Sequence, residues 1–98
     1  MTTDGSKVFR RKADVVSRQV GAESILVPVR HNVGNLDFVY TLSPVAGRIW
    51  GLLDGERTVD EVIDAVCDEF EVERERAAVD VATLLEDLSE IALVTPEP

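Results

Sequence analysis

The spacing of apolar residues divides the chain into two parts. Up to residue 42 apolar residues tend to alternate with polar ones, which is the period of a β-strand, and from residue 43 they recur every three or four residues, which is the period of an α-helix. We therefore expect an α+β fold of the winged helix-turn-helix type, in which a three-stranded antiparallel sheet is followed by three helices. The predicted strands are 15–20, 23–30 and 36–42, and the predicted helices are 44 to about 53, 59 to about 70 and 73 to about 91.

The third predicted strand has a strongly apolar face. Phe38, Tyr40 and Leu42 lie on this face and are expected to point into the core, while Thr41 is on the opposite face with Asp37 and Val39. In a three-stranded meander the outer strands have open edges, which need a cover, a charge or a partner. An added peptide strand or a second copy of the chain would each satisfy such an edge.

Helix boundaries are marked by residues with known end preferences. Ser43 and Pro44 suit the N-cap and first position of a helix. Gly55 suits the left-handed conformation that closes a helix, and Thr58 with Glu61 three residues later forms a capping box for the next one. The segment 50–61 is therefore expected to contain a tight turn between two helices.

The third predicted helix has an apolar surface wider than packing on one side requires. Part of this surface is a candidate wall of a groove, and the alternative is that it contacts both the sheet and the other helices. The apolar positions are Ala77, Ala78, Val81, Ala82, Leu84, Leu85, Leu88 and Ile91. The acidic residues of the same helix, including Glu86, Asp87 and Glu90, are interpreted as a solvated face.

Length and charge restrict the function further. Ninety-eight residues are enough for one small domain, which we expect at 8–94, between a disordered N-terminus at 1–7 and a tail at 95–98. The net charge of −9 disfavours partners that present phosphate groups, so no nucleic acid and no membrane surface is expected. Residues 1–31 carry six basic and three acidic residues, whereas residues 32–98 carry four and sixteen.

The residues that usually perform catalysis or bind metals are scarce. Cys67 is the only cysteine, which excludes an internal disulfide, and its place on an apolar helical stripe predicts a buried, inert thiol. His31 is the only histidine and is expected in an exposed loop. With no phosphate-binding glycine loop and no metal-ligand spacing, we expect no cofactor, no metal and no enzymatic activity. Without an apolar signal segment or membrane span, a cytoplasmic protein is expected.

Several short motifs occur in a characteristic order from Leu42-Ser43-Pro44 through Leu53-Asp54-Gly55 and Thr58-Val59-Asp60-Glu61-Val62 to Asp80-Val81 and Leu84-Leu85. In this order and spacing the chain resembles the PqqD family, over about residues 8–94. The resemblance implies a small peptide chaperone, or recognition element, for ribosomally made and post-translationally modified peptides such as the precursor of pyrroloquinoline quinone. Such a protein binds the leader segment of a precursor peptide and presents it to a maturation enzyme, often a radical-SAM enzyme.

The resemblance also implies a binding site, because the family fold adds the leader as a further strand along the third strand, in a groove shared with the third helix. The residues expected to bind the peptide are Asp37, Phe38, Val39, Tyr40, Thr41, Leu42, Ala77, Ala78, Val81, Leu84 and Leu85. The alternatives are a winged-helix protein–protein adaptor and a transcription-type domain. The six acids and two arginines of residues 73–91 argue against DNA binding.

Overall fold

The computed structural model of the protein describes residues 5–13, 15–28 and 40–97. The three helices and the strands 15–20, 23–28 and 40–42 occur where the apolar periodicity predicts them, and the α+β fold class is confirmed. The elements in chain order are β1 (Val8–Arg11), β2 (Val15–Val20), β3 (Glu23–Pro28), β4 (Tyr40–Leu42), α1 (Pro44–Leu52), β5 (Asp54–Thr58), α2 (Val59–Phe70), α3 (Arg74–Glu90) and β6 (Val94–Pro96).

Strands β2, β3 and β4 form the predicted antiparallel meander, with β3 in the centre. Leu26 of β3 is opposite Tyr40 of β4, and both point toward the helices, as does Leu42. Leu26 and Leu42 are almost completely buried, whereas Thr41 is exposed on the other face, in agreement with the predicted alternation. The rest of the predicted third strand, 36–39, and His31 lie outside the described residues.

A second antiparallel sheet, in the order β5-β1-β6, was not predicted. Its strands lack the alternation that identifies a half-buried strand, because β1 reads Val-Phe-Arg-Arg and β5 reads Asp-Gly-Glu-Arg-Thr. Phe9 is the one residue of β1 that is buried in the core. The pairing joins segments from both ends of the chain, and local periodicity carries no information about such a contact.

Segments near both ends of the domain pair with its other elements, residues 5–7 with the start of α2 and β6 with β1. The carbonyl groups of Gly5 and Lys7 accept hydrogen bonds from Asp60 (3.0 Å) and Val59 (2.8 Å), two N–H groups at the start of α2 that have no partner within the helix. At the other end β6 pairs with β1, and the N–H of Glu97 donates to the carbonyl of Val8 at 2.7 Å. Both segments are polar, and a polar sequence does not indicate main-chain pairing of this kind.

The turn between α1 and α2 follows the predicted caps with one change. The hydroxyl of Thr58 accepts from the N–H of Glu61 at 3.2 Å, and the Glu61 carboxylate accepts from the N–H of Thr58 at 2.8 Å, so the capping box is confirmed. Gly55 has the expected positive φ of 82°, but the C-cap of α1 is Leu53. Gly55 therefore lies within β5, where the chain turns back along β1.

The helices pack over both sheets to form one hydrophobic core. The core side of α3 is fully covered: Ala77, Val81 and Leu88 are 0% exposed and Leu85 is 2% exposed. Cys67 is half-buried and packs against the core, so its thiol is less enclosed than predicted. Among the described residues no helix has the length and apolar composition required to cross a membrane.

Candidate functional site

Strand β4 has one edge without a strand partner among the described residues. Its other edge pairs with β3 in the register Ser24–Leu42, Ile25–Thr41 and Leu26–Tyr40. In an antiparallel edge strand, the N–H and C=O groups of alternate residues point away from the sheet. This edge therefore presents main-chain donors and acceptors that an extended peptide can pair with.

A cavity of about 390 Å³ lies beside the chain that leaves β4, between α1 and α3. Ligand cavities in proteins usually measure about 300–1,000 Å³, so it can accept one or two side chains of a larger ligand. The α3 residues that line the cavity are spaced by three or four positions, or adjoin one another, and so form one face of the helix. The lining residues are Ser43, Val45, Ala46, Ile49, Arg76, Asp80, Thr83, Leu84 and Asp87.

The cavity has apolar walls and a polar border. Val45, Ala46, Ile49 and Leu84 contribute the apolar surface, and Ile49 and Leu84 are themselves part of the buried core. The local reason is the start of α1 at Ser43, whose hydroxyl accepts from the N–H of Ala46 at 3.2 Å. This cap holds the first turn of α1, and with it Val45 and Ala46, opposite α3.

The charged residues of the border are distributed unequally along α3. At its N-terminal end the Arg76 Nε lies 3.4 Å from the Asp80 Oδ1, so these two charges compensate one another. Asp87, about two turns beyond Asp80, is exposed and has no hydrogen bond or ion pair among the described residues. The charges at the Arg76–Asp80 end of the cavity therefore compensate one another, whereas the Asp87 end has a net negative charge.

Tyr40 connects the strand edge to the charged end of the cavity. Burial raises the pKa of its phenol above the usual tyrosine value, and the negative charge of Asp87 raises this pKa further. An electrostatic effect of this kind requires Asp87 to lie near Tyr40. The edge of β4 and the cavity are thus neighbouring parts of one surface, which we call the β4–α3 groove and define as Tyr40–Leu42 together with the cavity-lining residues.

The predicted binding residues that the structure describes are divided between strand β4, the cavity and the core. Tyr40, Thr41 and Leu42 form β4, and Leu84 lines the cavity. Ala77, Val81 and Leu85 are buried in the core, and Ala78 is partly buried against the core and does not line the cavity. Asp37, Phe38 and Val39 lie outside the described residues.

Sequence reasoning missed most of the cavity lining. The sequence predicts Asp87 on a solvated face and Ser43 only as a helix cap, and it singles out neither Val45 nor Ile49 for the site. One signal was available, because Arg76, Asp80, Thr83 and Asp87 share a helical face beside Leu84. On that face the polar residues lie beside the apolar stripe of α3, as expected where the apolar wall of a groove meets its polar border. Among the described residues there is no cluster of His, Cys, Asp or Glu able to hold a metal ion.

Two comparisons identify related proteins. The family model described as "Coenzyme PQQ synthesis protein D (PqqD)" matches residues 23–94, which is most of the chain and includes both β4 and α3. The fold is also similar to a solved structure described as "TbiB1 in Complex with the TbiA(beta) Leader Peptide", with a TM-score of 0.70 and 27% sequence identity. That similarity covers 87% of this chain and 93% of the TbiB1 chain.

No functionally curated protein matches the chain significantly. The family match nevertheless spans the elements that build the groove, and the TbiB1 fold covers nearly the whole molecule. The motifs Leu53-Asp54-Gly55 and Leu84-Leu85, which carry the resemblance, lie inside the matched region. The chain belongs to the PqqD family.

Proposed function

We propose that this protein is a non-catalytic recognition module that binds the leader segment of a ribosomally made precursor peptide and presents it to a maturation enzyme. The observation that carries the proposal is the β4–α3 groove, in which an edge of β4 that has no strand partner among the described residues adjoins an apolar cavity. The related TbiB1 was solved with a leader peptide bound, and family membership supports the same class of ligand for this chain.

The two parts of the groove have different roles in binding. Main-chain pairing with β4 contributes affinity that depends little on the peptide sequence, since every residue except proline has the same backbone groups. The cavity between α1 and α3 contributes specificity, because it accepts an apolar side chain from the added strand. Neither role requires a nucleophile, a general base or a metal.

Presentation to the maturation enzyme follows from the same arrangement. A leader that is held as an edge strand keeps the following part of the precursor free to enter an active site elsewhere. We expect the maturation enzyme to be a separate protein, of the radical-SAM class or another peptide-modifying class. The expected site of action is the cytoplasm, where precursor peptides are made.

An NMR titration tests the proposal directly. Isotope-labelled protein is titrated with leader peptides that are encoded beside its gene, and amide shifts are recorded. We expect the largest changes at Tyr40–Leu42 and at the cavity residues Ser43, Thr83 and Asp87. Absence of binding by every such peptide, or shifts confined to the opposite edge at β2, would overturn the proposal.

A pair of tryptophan substitutions on α3 provides a matched control. Thr83→Trp places a bulky side chain in the cavity, and Val79→Trp places the same side chain on an exposed part of α3 outside the cavity. Both native residues are β-branched and exposed, so the two changes have similar intrinsic effects on the helix. We expect Thr83→Trp to abolish binding and Val79→Trp to leave it unchanged.

A further inference from the structure

Asp87 occupies a distinctive position in the β4–α3 groove. It lines the cavity and lies near Tyr40, so it stands where the strand edge and the cavity meet. The other acidic residue of the described lining, Asp80, is compensated by Arg76. Among the described lining residues a ligand in the groove therefore meets one uncompensated carboxylate, and it meets that carboxylate at the end beside β4.

The remainder of the protein strengthens the negative potential around Asp87. Residues 32–98 carry sixteen acidic and four basic residues, and Glu86 and Glu90 are close neighbours on α3. The described arginines of this part are paired: Arg48 with Glu69, Arg57 with Asp54, Arg74 with Asp60 and Asp64, and Arg76 with Asp80. No described basic residue of 40–97 is thus available to neutralise Asp87.

On the basis of the proposed function, we infer that Asp87 selects leader peptides that carry a lysine or arginine two positions from their apolar anchor residue. The apolar anchor enters the cavity against Val45, Ile49 and Leu84, and the basic side chain reaches Asp87. Complementary charge at the border of a binding site mainly determines partner choice and association rate, and it adds to the affinity from apolar contact.

The geometry of an extended peptide sets the spacing of the two side chains, because both have to point toward α3. Leu84 and Asp87 are three positions apart in α3 and so lie on the same side of the helix. Two residues of an extended peptide cover about 6.6 Å and point to the same side of the strand. The basic residue is therefore expected two positions from the apolar anchor, with any residue between them.

A selection experiment tests the inference without knowledge of the natural leader. A displayed library of random linear peptides is selected on the wild-type protein and, in parallel, on Asp87→Lys and Glu86→Lys. Glu86 is the matched control, because it is exposed and adjacent in the chain but does not line the cavity. Circular dichroism and amide spectra establish that both variants keep the fold.

We expect the wild type to enrich peptides in which an apolar residue and a lysine or arginine are two positions apart. Glu86→Lys keeps this preference, whereas Asp87→Lys loses it or selects aspartate and glutamate at the same place. For a selected peptide, replacing its basic residue by alanine lowers the affinity of the wild type by about two- to fivefold, as for a partly exposed ion pair. The loss diminishes at high salt.

The other outcomes separate the two proposals. If the wild type enriches groove-binding peptides without a basic residue, or if Asp87→Lys keeps the wild-type preference, the inference about Asp87 is wrong and peptide recognition by the groove stands. If no linear peptide is enriched over the Thr83→Trp variant, both the inference and the proposed function are overturned.

Discussion

Asp87 of α3 acts electrostatically on Tyr40 of β4, and this relationship joins two elements that are 47 positions apart in the chain. The carboxylate and the phenol lie at the junction of the open strand edge and the cavity. Because the protein contains a single tyrosine, the ionisation of Tyr40 can be followed by ultraviolet absorbance without a contribution from another tyrosine.

The first prediction concerns the ionisation of Tyr40. Its pKa is raised mainly by burial and secondarily by Asp87, because both disfavour the negative phenolate. Asp87→Asn is therefore expected to lower the pKa of Tyr40 while leaving it above the usual tyrosine value. The measurement is an ultraviolet absorbance titration of tyrosinate. Glu86→Gln is the control, and an equal decrease in that variant would show that the effect is general charge reduction.

The second prediction separates the core side of α3 from its groove side. Leu85 is 2% exposed, and Leu85→Ala is expected to lower the free energy of unfolding by about 2–5 kcal/mol. Thr83 is exposed in the cavity, so Thr83→Ala should change the free energy of unfolding by less than about 0.5 kcal/mol. Urea unfolding followed by the fluorescence of the single tryptophan, Trp50, gives both values. A small effect of Leu85→Ala would place this residue outside the core.

The third prediction tests whether the β5-β1-β6 sheet contributes to stability. Phe9 is 8% exposed, and Phe9→Ala should lower the free energy of unfolding by about 3–5 kcal/mol. Arg10, next in β1, has an exposed side chain that pairs with the half-buried Glu97. Arg10→Ala should lower the free energy of unfolding by less than about 1 kcal/mol. Equal unfolding curves for wild type and Phe9→Ala would mean that β1 is not part of the folded domain.

The fourth prediction concerns the capping box of α2. Thr58→Ala removes the oxygen that accepts the N–H of Glu61 and is expected to lower the free energy of unfolding by about 1 kcal/mol. Thr58→Ser keeps this oxygen and should recover most of the loss. The comparison by urea unfolding isolates the cap, because serine and alanine are both smaller than threonine. Equal losses in the two variants would assign the effect to the methyl group.

The fifth prediction is a pH dependence that arises from Asp54. One oxygen of this carboxylate accepts the N–H groups of Arg57 and Glu56, each at 3.0 Å, and these hydrogen bonds are the main reason that the pKa of Asp54 is lowered. A lowered pKa in the folded state contributes stability above the pKa of the unfolded state. This contribution is lost as the pH falls through the folded-state pKa.

Unfolding experiments over a series of acidic pH values test this contribution. We expect wild type to be more stable than Asp54→Asn at neutral pH and the difference to disappear on acidification. Asp68→Asn serves as the control, because Asp68 is exposed and makes no hydrogen bond among the described residues. A difference between wild type and Asp54→Asn that stays constant with pH would exclude the carboxylate charge as its cause.

The sequence by itself determined the elements that local patterns encode. The period of two predicted β2, β3 and β4, and the period of three to four predicted α1, α2 and α3. Thr58 with Glu61 marked the start of α2 at the correct residue. These features depend on neighbours within a few positions, where side-chain direction and capping groups are fixed by the local backbone. The family resemblance, which rests on the same local motifs, was confirmed as well.

Only the tertiary structure decided which residues face the groove. The β5-β1-β6 sheet brings together segments near residues 9, 56 and 95, and its polar strands are held by main-chain pairing that side-chain patterns do not report. On α3, the sequence predicts Ala77, Val81 and Leu85 as binding residues, and packing buries all three in the core. The face of α3 that lines the cavity includes Thr83, Leu84 and Asp87, because the position of α1 beside α3 determines which face stays open.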